Sequence, residues 1–249
     1  MMGAIFTLEM KKNLQDKGLL FWMVILPIIF TYLFIEIFTS GADDMAKQEI
    51  ITSIVPGYTV MFVFFIMISM VTSFIKDRDS GMTARIASAP IKPKFYLLGK
   101  WLPYILIVCV QIFILFSFGK VVYDINLEQP ILLTSLSIFL AYMVTGFGLF
   151  LALSVKTENM GIALTQVIAL GGALISGLWV PIDMMPNMLQ KTAEFLPQYW
   201  AHQALQDTMH GTLAYKDFFT ASGVLFAYGT SGFLLAVIRY RSFLKVARS

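Results

Sequence analysis

Six apolar blocks, each about as long as a bilayer is thick, leave this chain few folds to choose from. They run over residues 19–39, 54–75, 101–119, 131–155, 160–182 and 218–238. A helix needs about 20 apolar residues to cross the hydrocarbon core, where every backbone N–H and C=O must be satisfied within the segment. Glu36, near the far end of the first block, is the one charge in any of them. Charged residues make up 13% of the chain, about half the share of a soluble domain, which argues against a water-soluble enzyme. The expectation is a single all-α membrane domain over residues 1–249, with six transmembrane helices. Pro27 and Pro103 fall inside blocks, where neighbouring helices can satisfy the carbonyls they free.

The basic residues set the direction. With the N-terminus inside, fourteen of the eighteen Lys and Arg fall in cytoplasmic segments and four outside, as positive-inside loops require. Both termini are then cytoplasmic. The net charge of +3 comes from cations flanking apolar blocks, so it marks a membrane surface and gives no reason to expect nucleic acid. A cleavable signal sequence has an apolar core of about 7–15 residues; the first block is longer, so a retained span is expected. Before it, Ile5, Phe6, Leu8, Met10 and Leu14 interleave with Glu9, Lys11, Lys12 and Asp16, the composition of an interfacial helix.

Several chemistries find no residues. No GxxxxGK[ST] phosphate loop occurs, so any ATP hydrolysis falls to another chain. Cys109 is the single cysteine, which leaves no intrachain disulfide and no Cys-based metal site. His202 and His210 could share a helical face with Gln206, but no HExxH or third strong ligand joins them; interfacial polar residues are the plainer reading. Ion-coupled carriers keep ionisable groups inside their spans, and here the interiors offer only the neutral Gln111 and Gln166, with Glu36 at a boundary. An ATPase-independent secondary transporter or channel is the alternative this counts against, as it does against an intramembrane enzyme.

Two polar stretches remain. The inner loop, 76–100, runs Asp77, Arg78, Asp79, Ser80, Gly81, then a small apolar segment with Arg85, then Pro90, and re-enters at Gly99-Lys100. Asp79 or Ser80 can cap a short helix from about Gly81 that Pro90 ends; by composition alone it is equally a solvated, positively flanked loop. This order resembles the membrane permeases of type 2 ATP-binding-cassette exporters, such as the daunorubicin-resistance type. Their first inner loop reads acid-Arg-acid-Ser/Thr-Gly, a short helix, a proline, then Gly-Lys at the next span. The family often has Glu at the acid positions and another acid after the glycine, where Asp77, Asp79 and Ala84 stand here.

The second stretch carries Ser176 to Pro181, Met185-Pro186, Phe195-Leu196-Pro197 and Tyr199-Trp200-Ala201, with Gln206 where the family usually has a basic residue. It resembles the family's short helices that dip into the outer leaflet between spans five and six. Read physically, Pro181, Pro186 and Pro197 cut it into amphipathic pieces rich in Met and aromatics, suited to the headgroup boundary; they form an outer gate or merely anchor the loop. The resemblance implies a coupling helix built on Asp77, Arg78, Asp79, Ser80, Gly81 and Arg85 and pressed into a separate ATPase. Read physically rather than by resemblance, the Met and aromatic pieces put an outer gate or substrate path near Met185, Phe195, Tyr199 and Trp200. The resemblance also implies a second permease copy or sister permease, membrane lipids as surroundings, and hydrophobic or amphiphilic cargo such as a drug, antibiotic or lipid. This chain would bind no cofactor of its own, ATP and Mg belonging to the partner. Two small-residue stripes, Gly161, Thr165, Ala169, Ala173 and Gly177, and Gly223, Ala227 and Ser231, suit close helix packing, within the subunit or across a dimer seam.

Overall fold

The computed structural model describes residues 2–41, 43–88 and 92–247. Every regular element among the described residues is a helix, and six helices are long and apolar enough to cross a membrane. An interfacial helix α1 (Met2–Gln15) precedes the first span, α2 (Lys17–Thr39). The second span, Ala46–Asp79, consists of α3 (Asp44–Val63) and α4 (Ile66–Asp79), followed by the short α5 (Met82–Ser88). Then come α6 (Pro93–Tyr123), α7 (Pro130–Ser154) and α8 (Glu158–Ile175). A 3-10 turn (Ile182–Met184), α9 (Asn187–Ala193) and α10 (Pro197–His210) lead to the sixth span, in α11 (Tyr215–Ala247).

Local chemistry sets the boundaries. The carboxylate of Asp16 accepts from the N–H groups of Gly18 and Leu19 and opens α2. Asp43 caps α3 through Ala46 N–H, and the Thr157 hydroxyl caps α8 through Met160 N–H. Proline stands at the start of α6, α7 and α10, where its missing N–H costs nothing. Inside α2, Pro27 cannot donate to Met23. The preceding residues, Phe21–Ile25, relax into a π turn in which Leu26 N–H reaches Phe21 O.

The fifth span is shorter than the expected 160–182. It stops at Ile175 because Gly177 turns left-handed (φ 79°), and Leu178 N–H folds back onto Ala173 O at 3.1 Å. That is a Schellman end, which a side chain at position 177 would resist. The second span starts earlier and the sixth ends later than their apolar cores. The short helix after Gly81 forms as expected, but no side chain caps it among the described residues. Asp79 is taken by Arg78, and the Ser80 hydroxyl donates to Asp77 O. Pro90, expected to end it, lies outside the described residues.

The second span is the strut around which the others stand: 83% of its apolar window is buried, against 28% for the first and fifth. Met67, Met70, Val71 and Phe74 on α4 are fully enclosed. Glycine decides how tightly α7 and α11 cross. A Cβ on Gly146 would lie 2.5 Å from Gly229 O, and one on Gly232 would lie 2.8 Å from Gly146 C, so the two backbones touch. Beside that crossing, Trp101 stacks on Phe233 and donates to Thr145 Oγ1 at 2.8 Å.

The two candidate small-residue stripes have opposite fates. Thr165, Ala169 and Ala173 are fully buried, and Gly161 is pressed against Val71, so the α8 stripe serves packing within the chain. Gly223, Ala227 and Ser231 face outward from α11.

Candidate functional site

The end of the bundle that carries α1, α5, the 155–157 loop and the end of α11 is organised by buried charge. Lys100, two turns into α6, is 1% exposed. Its ammonium donates to Asp77 Oδ2 at 2.6 Å and to Ser73 Oγ at 3.1 Å, and lies 3.6 Å from Glu9 Oε1 and 4.2 Å above the Phe74 ring. Glu9 accepts from the hydroxyls of Ser73 and Tyr104. Lys12 closes the network with a 2.8 Å bond to Asp77 Oδ1. Two carboxylates and two ammonium groups thus join α1, α4 and α6, with every charge paired, the condition for keeping ions out of water.

Gly99 makes the approach possible. A Cβ there would meet Ile5 Cβ at 2.9 Å, so its absence lets α1 lie flat on α6 and put Glu9 within reach of Lys100. The Gly-Lys pair is therefore one device: the glycine admits α1 and the lysine ties it down.

The predicted coupling residues divide between this network and the surface. Asp77 is buried in it. Arg78 turns the other way, donating to Asp79 at 2.8 Å and to the carbonyl of Lys156 at 3.0 Å, which ties the α4 end to the loop between α7 and α8. Gly81 (φ 72°) makes the left-handed turn into α5. Ser80 and Arg85 are exposed. The short helix thus stands on a braced root and shows its outer side to solvent. Glu9, Lys12, Ser73 and Tyr104 were missed in the sequence; the available signal was the placement of Glu9 and Asn13 one turn apart and in register with the apolar Ile5.

At the opposite end, α10 fills a groove between α3, α7 and α11. Gly57 allows this: a Cβ there would fall 2.6 Å from Leu178 O and 3.4 Å from His202 Nε2. His202 is buried, with Nε2 3.4 Å from the Ser53 carbonyl, and burial pushes its pKa down to about 4, which keeps it neutral near pH 7. His210 is exposed in the last turn, so the histidines do not converge; among the described residues no His, Cys, Asp and Glu group has metal-holding geometry. Gln198 donates at 3.0 Å to the carbonyl of Ile168, which lies in a π turn of α8 (Val167–Gly171), with Gly172 leaving it room.

Of the four expected gate residues, Tyr199 and Trp200 come together. Trp200 meets Tyr199 edge to face and donates to Glu194 O at 2.8 Å, while Tyr228 of α11 donates to the Phe195 carbonyl. The Phe195 ring itself is 75% exposed. Met185 follows the 3-10 turn, its carbonyl held by Gln190 at 2.8 Å.

Comparison with known proteins places this arrangement. A linearmycin resistance permease, LnrN, of Bacillus subtilis is 26% identical over 194 residues, 78% of this chain and 50% of the relative, so the chain spans about half its length. A putative transport permease of the same organism, YvfS, is 30% identical over 201 residues, 77% of this chain and 78% of the relative. A daunorubicin resistance ABC transporter permease, DrrB1, of Streptomyces coeruleorubidus is 27% identical over 204 residues, 78% and 70% of the two chains. Residues 2–210 match the ABC-2 type transporter family, a span that takes in α1, the ion network, the short helix and α10, and the chain belongs to that family as a multi-pass membrane transport subunit.

Proposed function

We propose that the chain is the permease half of an ATP-driven exporter that moves a hydrophobic or amphiphilic molecule outward. It pairs with a second copy or a sister permease, giving twelve spans, and two ATPase subunits carrying ATP and Mg dock beneath α5. Both termini face the cytoplasm of a bacterial or archaeal cell, and the chain sits in the plasma membrane. The observation that carries this reading is the braced root of α5. A helix of seven residues cannot pass on a push unless its base is rigid, and the Glu9, Asp77 and Lys100 network fixes that base to three helices at once. A closing movement of the ATPases would then reach α1, the second span and the third span together, as a shift between two states of the bundle. The resistance permeases among the relatives suit a drug-like or antibiotic cargo. The pieces from Pro181 to α10 dip partway into the outer leaflet, with Met185, Phe195, Tyr199 and Trp200 at the exit.

The test is copurification from the native membrane. A Walker-motif ATPase should come with the tagged chain, and Asp79→Lys or Gly81→Val should weaken that association while membrane insertion is kept. Normal association and ATP hydrolysis in both variants would remove α5 from the coupling role. Substrate flux that persists in sealed vesicles without nucleotide would replace the exporter with a secondary transporter or channel.

A further inference from the structure

Beside the root of α5, the end of α4, the 155–157 loop and the last turns of α11 enclose a cavity of about 720 Å³. Its cations come from three different spans. Arg78 stands in the last turn of α4, Lys156 follows directly on the apolar block 131–155, and Arg239 follows directly on 218–238. All three therefore lie at the depth where hydrocarbon gives way to headgroups. Arg78 is held in place, its side chain 13% exposed. Its Nε donates to Asp79 and its Nη2 to the Lys156 carbonyl, while Nη1 has no partner among the described residues. Lys156 and Arg239 are exposed, and among the described residues neither has a carboxylate within ion-pair distance. Asp79, the one acid in the lining, is taken by Arg78. Leu153, Val155 and Phe243 supply apolar wall.

We infer that this cavity binds the phosphate of an anionic phospholipid. Charge selects an anion, because three cations face one carboxylate in the lining. Donor chemistry selects phosphate: a fixed guanidinium beside a lysine and a second arginine can serve several oxygens of one tetrahedral group. Depth and the apolar wall select a lipid over a free phosphate. Leu235 and Ile238, one turn and one residue before Arg239, are exposed and continue an apolar surface towards the hydrocarbon, where acyl chains would lie. Basic pockets between helices at this level are a recurring site for anionic headgroups. Size agrees: the volume falls within the roughly 300–1,000 Å³ of small-molecule pockets. At about 30 Å³ for a water-sized group, that is room for a phosphodiester headgroup with its glycerol ester region. Bound there, the phosphate bridges α4, the loop after α7 and α11. The inference concerns binding by this chain and stands whether or not an ATPase is its partner.

The experiment uses the full chain in phosphatidylcholine nanodiscs doped with a phosphatidylglycerol that carries a diazirine near the ester of one acyl chain and an alkyne at its tail. Crosslinks are mapped by peptide mass spectrometry, and their yield is titrated against the probe. Labelling should concentrate on the ends of α7 and α11, around Val155, Leu235 and Phe243. Unlabelled phosphatidylglycerol should suppress it where added phosphatidylcholine does not, and excess inorganic phosphate should leave it intact. Each cation near a membrane surface is worth about fivefold in affinity, so Lys156→Gln with Arg239→Gln should weaken labelling about 25-fold. Arg241→Gln with Lys245→Gln removes two cations of the same helix that lie outside the lining, and should weaken it less than about fivefold, through screened charge alone. Equal loss in the two double variants would reduce the effect to general surface charge. Displacement by inorganic phosphate would assign the cavity to a soluble anion, and label spread evenly over lipid-facing helices would remove the site; each of these overturns the proposal. The mapping and the competitions on the unaltered protein decide the question even where a variant fails to fold.

Discussion

Replacing Lys100 with Met removes the one fully buried cation of the network and leaves Glu9 and Asp77 facing each other across its place. At an effective dielectric near 20, the 2.6 Å and 3.6 Å contacts correspond to about 6 and about 5 kcal/mol of gross attraction. Most of that is offset by the several kcal/mol needed to strip each ion of water. What truncation exposes is the other side of that balance, two buried carboxylates without their cation, for which about 3–5 kcal/mol is the usual loss. Lys12 keeps its 2.8 Å bond to Asp77 but lies 4.0 Å from Glu9 and is partly exposed, so the lower end, about 3 kcal/mol, is expected. Unfolding in mixed micelles by titration with SDS, followed by far-UV circular dichroism, measures it. The triple change Glu9→Gln, Asp77→Asn and Lys100→Met should regain most of the loss, because it removes the charges together. A single variant within about 1 kcal/mol of the parent, or a triple variant no better than the single, would refute the claim that these ions are mutually dependent.

Three further outcomes are expected. Gly146→Ala should force α7 and α11 apart and cost at least the 1–3 kcal/mol typical of overpacking in the same assay; Gly223→Ala, with nothing within 4 Å of its added carbon, should be neutral. His202 has a folded pKa near 4 against an ordinary value of 6.5. The unfolded chain therefore binds the extra proton first, and stability should fall by about 3 kcal/mol as pH drops from 6.5 to 4, with no dependence on this group above 6.5; His202→Gln should flatten that slope. In a Cys109-free background, cysteines at Asp44 and Asn187 should react with an impermeant reagent added to sealed cells and one at Ser242 should not, and labelling at Ser242 would reverse the topology.

The spans were legible because hydropathy is a local sum: any stretch of about 20 apolar residues announces itself whatever its neighbours do. The short helix after Gly81 was legible for the same reason, its turn residue lying beside it in the chain. The ion network was not. Glu9 and Ser73 are 64 residues apart, and Lys100 and Asp77 are 23 apart, so their meeting depends on which face α1 turns inward. Lys100 read as one more positive-inside flank when it is the centre of the cluster. Span five was overestimated because Leu178, Trp179 and Val180 are as apolar as the helix before them; the left-handed turn at Gly177, which the composition does not reveal, ends it.

The π turn in α8 settles a matter of phase. At 3.6 residues per turn, a step of four residues overshoots a full turn by about 40°, so Gly161 and Ala173, three such steps apart, would diverge by about 120° on a regular helix. One extra residue absorbed in Val167–Gly171 turns the upper half of the helix back by about 100°, the rotation per residue of a regular helix, and returns Ala173 to nearly the bearing of Gly161. The four-residue spacing of small side chains can therefore follow the second span as a straight seam. Deleting one residue from this turn would restore a regular helix and, by rotating its upper half, swing Ala173 off the seam and the Ile168 carbonyl away from Gln198.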